Sequence, residues 1–125
     1  MSKNPETELQ HDILCALSLF EGQSGYKVYR MNNGGVWSRK ANCYMTPGPW
    51  HPDGLADIMI LCQGGKVIFL EIKTPTGTQL PSQVEFEKVC KRCGAPYAIV
   101  RSSKEALDVL RRLNVIGGEL DRLGK

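Results

Sequence analysis

Long apolar runs are missing from this chain. None exceeds five residues, the length of Ile58 to Cys62, against the roughly 18 to 20 that a bilayer-spanning helix needs, which excludes a membrane-spanning helix. A strong charge of one sign is missing too. Sixteen Lys and Arg against thirteen Asp and Glu leave +3, so an anionic partner has to be held by local charge placement and not by a polybasic tail. The first residues, Met1-Ser2-Lys3-Asn4-Pro5-Glu6, lead into a stretch bearing Glu8 and Asp12. No basic segment followed by an apolar core and a small-residue cleavage site precedes it, which predicts a chain that is not secreted. Histidine is scarce: His11 and His51 lie far upstream of Cys90-x-x-Cys93 and in no paired arrangement, so a zinc site lacks its remaining ligands. A disulfide framework is absent as well. Cys15, Cys43, Cys62, Cys90 and Cys93 are odd in number and scattered, which suits reduced thiols in a cytoplasmic setting. Cys90 and Cys93 fall near the end of a predicted helix, away from the N-terminal position that lowers a thiol pKa, and are read as two helix-face cysteines.

What is present suits one compact domain over residues 1–125, with 42% apolar residues to build a core. Residues 7–20 place Leu9, Ile13, Leu14, Leu17 and Phe20 at helical spacing, with acidic residues near the start. Residues 26–31 alternate as a strand closed by Asn32-Asn33-Gly34-Gly35. Residues 36–54 hold Pro47, Pro49 and Pro52 with Trp37, Tyr44 and Trp50, and read as a long irregular loop of the kind that often carries function. Two β-rich runs follow, 55–62 and 66–74, both apolar on both faces as in central strands, the second closed by Pro75. Pro81 suits the first turn of a helix running to Gly94, residues 95–100 form a strand, and Ser102 or Ser103 caps a last helix through about Leu113. The predicted order is α-β-β-β-α-β-α, an α/β domain with a central mixed β-sheet flanked by helices.

Asp57, Glu71 and Lys73 interrupt strands that otherwise call for burial, and unpaired charges are expensive to desolvate. Their placement depends on the hairpin. A two-residue turn at Gly64-Gly65 sets Asp57 opposite Ile72 and throws Glu71 to the other face. A three-residue loop of Gln63, Gly64 and Gly65 pairs Cys62 with Lys66 and sets Asp57 opposite Glu71, with Lys73 on their face. The three-residue hairpin is therefore predicted. Carboxylates opposed across strands, with Cβ atoms roughly 4.5 to 5.5 Å apart, share one hard cation or raise one another's pKa. Oxygen-only ligation favours Mg²⁺ or Mn²⁺ over zinc, as at sites that act on phosphoryl substrates. Lys73 then orients or helps deprotonate the attacking water, or stabilises developing charge. The alternative is a structural salt bridge between Lys73 and the acids.

Gly54-x-x-Asp57 followed by Glu71-Ile72-Lys73 resembles the signature of the PD-(D/E)xK nuclease superfamily. More narrowly, Glu71-Ile72-Lys73-Thr74-Pro75-Thr76-Gly77, then Gln83 at a helix start and Gly94-Ala95-Pro96-Tyr97 before a strand, is similar to the VRR-NUC family. The likeness is to small stand-alone members of phages and bacteria, and it runs from Glu8 to about Leu110. The resemblance implies a restriction-endonuclease-like fold and a cytoplasmic, Mg²⁺- or Mn²⁺-dependent endodeoxyribonuclease. Similarity to Holliday-junction resolvases implies a homodimer that cuts branched or structured DNA. It implies that Asp57, Glu71 and the Ile72 backbone carbonyl bind the metal, that Lys73 is the catalytic lysine, and that Gln83 contacts that lysine or the substrate. Glu8, preferred over Glu6, matches the acid of the first helix that reaches the metal through water. A non-catalytic DNA-binding module, and a nickase or exonuclease for linear DNA, are the rival readings.

Arg30 and Lys27 on the early strand, Asn32, Arg39 and Lys40 in the loop, and Lys88, Lys91 and Arg92 on the helix are candidate DNA contacts, as are Arg101, Arg111 and Arg112. Trp37, Tyr44 and Trp50 either stack on exposed bases or anchor the loop to the core. His51, beside that loop, is a further candidate for a phosphate contact.

Overall fold

A computed structural model describes residues 5–31, 36–45 and 54–116. The elements in chain order are α1 (Pro5–Ser18), α2 (Glu21–Ser24), β1 (Lys27–Arg30), β2 (Val36–Ser38), β3 (Cys43–Met45), β4 (Ile58–Leu61), β5 (Val67–Ile72), α3 (Pro81–Cys93), β6 (Tyr97–Val100) and α4 (Ser103–Arg112). Four strands form one mixed sheet in the order β1-β4-β5-β6. The first two pairings are antiparallel and the last, β5 with β6, is parallel. The right-hand half of the sheet therefore needs a crossover, which α3 supplies.

Period-2 alternation divides the sheet into two faces. Ile58 and Ile60 of β4, Ile68, Leu70 and Ile72 of β5, and Val100 of β6 are buried on one of them. There they join Ile13 and Leu17 of α1 and Ala106, Val109 and Leu110 of α4 in a single apolar cluster. The Tyr26 hydroxyl donates to the Leu17 carbonyl and ties the start of β1 to the end of α1. On the opposite face Phe86 of α3 packs edge-on against Phe69 of β5, with ring centroids 5.1 Å apart, and against Tyr97 of β6 at 6.1 Å.

Several local expectations hold. Gly94 ends α3 in the left-handed region at φ 79°, and Ser102, not Ser103, caps α4, its hydroxyl accepting from the Glu105 amide at 3.1 Å. Others do not. The segment read as one irregular loop contains an antiparallel hairpin, β2 with β3, in which Trp37 pairs with Tyr44. The short helix α2 occupies residues between the first predicted helix and the first predicted strand, to which no element was assigned. The β4 run is not covered on both faces: Met59 is half-buried and Leu61 is 41% exposed. The physical reason is that α3 lies over β5 and β6, so the same side of β4 stays open. Cys15, Cys62, Cys90 and Cys93 are free thiols; Cys90 is buried on α3 and Cys93 is exposed. Among the described residues no helix is long and apolar enough to cross a membrane.

Candidate active site

The site is built by the β4–β5 hairpin. Its turn is the three-residue one: the Cys62 amide donates to the Lys66 carbonyl at 2.8 Å, and Gly64 and Gly65 take φ of 82° and 83°, a region open mainly to glycine. With Leu61 opposite Val67 and Ile58 opposite Leu70, one further step sets Asp57 opposite Glu71. Asp57 is locked in place at both ends. Its carbonyl accepts from the Met31 amide at 2.8 Å, which continues the pairing with β1. Its carboxylate Oδ2 accepts from the Ile72 amide at 2.8 Å. In an antiparallel pairing a residue's N–H and C=O point to the same side, so the Ile72 carbonyl is aimed toward Asp57 as well.

Among the described residues Glu71 is the one carboxylic acid that is buried, with a side chain only 2% exposed. Its Oε2 accepts from the Gln83 side-chain amide at 3.0 Å and lies 3.9 Å from the Lys73 ammonium, which is itself 13% exposed. Its Oε1 is buried with no hydrogen-bond partner among the described residues. Burial first, then the charge of the facing Asp57 carboxylate, a hydrogen bond to it that Glu71 makes once protonated, and more distantly Glu6, push the Glu71 carboxyl up to about 9, against the opposing pull of Lys73. Gln83 is fixed in turn because its side-chain oxygen accepts from the Leu80 amide at 2.8 Å, closing the first turn of α3. Gln83, expected to contact the lysine or a substrate, here donates to Glu71, the carboxylate that Lys73 also faces.

A cleft of about 360 Å³ opens on this group, lined by Glu6, Gly54, Leu55, Asp57, Glu71, Leu80, Ser82 and Gln83. Gly54 sits at φ 92°, and a Cβ there would lie 2.4 Å from the Ser82 carbonyl oxygen. The backbone before β4 thus touches the start of α3 directly. The acid of α1 at this cleft is Glu6, which corrects the expectation for Glu8. Two residues along an α-helix turn the side chain by roughly 200°, and Glu8 lines a separate depression with Thr7, His11 and Asp12.

The cationic candidates are dispersed. Arg30 is exposed and lines a shallow depression with Thr7, Gln10, His11 and Leu14. Arg39 and Lys40 are exposed in the turn between β2 and β3. Lys88 pairs with Glu85 at 3.1 Å, Lys91 with Glu87 at 3.4 Å, Lys27 with Glu21 at 3.8 Å and Arg111 with Asp108 at 3.0 Å. Asn32, Trp50, His51 and the side chains of Trp37 and Tyr44 lie outside the described residues. Arg101, a sequence candidate with nothing to distinguish it from Arg111 and Arg112, is set apart by its bonding: its guanidinium Nη1 donates to the Thr74 and Gly77 carbonyls, each at 2.7 Å. Its signal was faint: a cation one residue past a strand that ends beside the Glu71-Ile72-Lys73 run.

Among the described residues no three His, Cys, Asp or Glu side chains converge closely enough to hold a metal unaided. The donors that face one another are the Asp57 and Glu71 carboxylates, and the Ile72 carbonyl on the same edge of β5 would add a third oxygen. An orphaned carboxylate oxygen beside a second acid fits a hard divalent cation, which would satisfy Oε1 and remove the repulsion between the acids.

No family model and no curated protein matches the sequence. Among solved structures the chain is similar to one described as a VRR_NUC domain, at 20% identity and a TM-score of 0.58, over 86% of this chain and 95% of that one. The four-stranded mixed sheet, its flanking helices and this likeness together give the chain an α/β, restriction-endonuclease-like fold, that of a VRR_NUC domain.

Proposed function

We propose that the protein is a metal-dependent endodeoxyribonuclease acting on branched or structured DNA. The observation that carries the reading is the unpartnered, buried Glu71 Oε1 facing Asp57, with the Lys73 ammonium on the same carboxylate. The fold of a VRR_NUC domain supports it. Asp57, Glu71 and the Ile72 carbonyl hold Mg²⁺ or Mn²⁺, with Glu6 reaching the same cleft from α1. A cation bound there supplies Lewis-acid stabilisation of charge on a phosphate. Lys73 hydrogen-bonds the attacking water and steers it in line with phosphorus, and its fixed charge favours the extra negative charge that develops. Gln83 positions Glu71. Arg30, Arg39 and Lys40 contact backbone phosphates, and Lys88 joins them by exchanging its exposed Glu85 partner.

The test is a panel of four-way junction, flap, linear duplex and single strand, with Mg²⁺, with Mn²⁺ and with neither. Cleavage should need the cation, favour a branched substrate and fall at least about 100-fold in Lys73→Ala, the usual scale for a positioned proton-handling group. Binding without nicking of any substrate would replace this reading with a non-catalytic DNA-binding module. Preference for linear DNA would replace it with a nickase or exonuclease. Symmetrical incision of a four-way junction needs two active sites, so the working form is a homodimer. A light-scattering mass of one protomer with full junction-cutting activity would contradict that.

A further inference from the structure

We infer that Arg101 is a DNA-backbone contact: a guanidinium held ready beside Lys73, on the next strand, to take a phosphate next to the one that the lysine handles. The inference rests on the nuclease reading and extends it to a residue outside the carboxylate group. Arg101 follows β6 directly, and the Lys73 amide donates to the Val100 carbonyl at 3.1 Å. The parallel register Ile72 opposite Val100, carried one step further, therefore makes Lys73 and Arg101 cross-strand neighbours. Neighbouring strands lie about 4.8 Å apart, so ammonium and guanidinium address the same stretch of backbone. Both stand at the carboxyl ends of the parallel pair, where open α/β sheets receive their ligands.

The bonding of Arg101 is what separates it from the other basic residues. Its Nη1 spends both hydrogens on the Thr74 and Gly77 carbonyls of the turn that follows Lys73. The Glu105 carboxylate is engaged by the Arg101 main-chain amide at 2.8 Å, and Arg101 forms none of the ion pairs found among the described residues. A half-buried cation is thus held by two neutral acceptors, with Nε and Nη2 left over as a planar pair of donors. Two carbonyls can be bridged by a neutral amide without the cost of desolvating a charge. A charged fork adds what an amide lacks, bidentate recognition of an anion such as phosphate. Pinning one nitrogen also removes much of the rotamer entropy that a free arginine would lose on binding.

The experiment measures binding of a fluorescent four-way junction without divalent cation across a series of KCl concentrations, for the wild type, Arg101→Gln and Arg101→Lys, with thermal unfolding of each. Arg101→Gln should weaken binding about tenfold at low salt, the size of one charge-assisted contact. It should also lower the magnitude of the slope of log K against log salt by about one. Arg101→Lys should keep the wild-type slope, because the charge remains. An unchanged slope in Arg101→Gln, whatever its melting temperature, would reduce Arg101 to a brace for the turn, and a lowered slope in Arg101→Lys would also overturn the inference. Failure of the wild type to bind DNA at all would bring down the nuclease reading itself. Normal wild-type binding and cleavage with an indifferent Arg101→Gln would bring down this inference alone.

Discussion

Burial and the facing Asp57 carboxylate raise the Glu71 carboxyl from its ordinary 4.5 to about 9, and the direction of that shift sets a pH dependence. Below the ordinary value the group is protonated in both the folded and the unfolded chain. Between the two values the unfolded chain releases the proton while the folded chain keeps it, so stability falls as pH rises and levels off above the folded value. Metal-free protein should therefore lose melting temperature across that window. Glu71→Gln, which never ionises, should flatten the loss and melt above the wild type near the upper end; equal slopes for the two would refute the shift. At Gly54 the argument is steric. Gly54→Ala forces a side chain into φ 92° and against the Ser82 carbonyl, and should cost about 2 kcal/mol or more in a urea titration, with cleavage reduced as the Asp57 and Gln83 elements part. Asp57, Glu71 and Lys73 were legible in the sequence because charges in apolar strands have few explanations. Glu6 was not. Helical phase at a terminus depends on where the first turn starts, and α1 begins at Pro5, two residues before the apolar pattern that announced it.

The hairpin of β4 and β5 is the element on which the carboxylates depend. Because side chains alternate with a period of two, slipping the pairing by one residue, so that Gln63 faces Lys66 across a two-residue Gly64-Gly65 turn, sets Asp57 against Ile72 and sends the two acids to opposite faces. Deleting Leu61 from β4 with the turn left intact moves Asp57 one step, from opposite Glu71 to opposite Leu70, and should therefore abolish cation-dependent cleavage. Circular dichroism should keep a folded signature, since the buried isoleucines of β5 still face the core, and retained activity would show that the opposed register is dispensable. This hairpin was readable from turn length and alternation alone. The β2–β3 hairpin was not, because strands of three residues are too short to show a period and lie among turn-forming residues. Nor could apolar composition say that β4 is open on one side, since coverage by α3 is settled by the crossover from β5 to β6 and not by β4 itself. The bonds of Arg101 to a turn 24 to 27 residues away are of the same kind: they exist only once the parallel pair has formed.

At the scale of the whole molecule, stability and charge meet in the cleft. The chain is only mildly basic, +3 over 125 residues, so under the proposed nuclease function general attraction to DNA would be weak and local pairs such as Lys73 with Arg101 would have to do the holding. The folded protein also keeps the Glu71 carboxyl protonated beside Asp57 up to about 9. Any cation that binds the folded chain and not the unfolded one stabilises it by mass action, by about 2.7 kcal/mol at a concentration one hundred times the dissociation constant. Binding must displace the Glu71 proton, so uptake should release close to one proton per cation below the folded pKa of about 9. Thermal scans with increasing Mn²⁺ should raise the wild-type melting temperature and leave Asp57→Asn and Glu71→Gln unmoved. Calorimetry in buffers of different ionisation enthalpy should count the proton, and the count should vanish in Glu71→Gln. A stabilisation that survives in both variants would place the cation elsewhere on the surface, and proton release without stabilisation would mean that the unfolded chain binds it equally well.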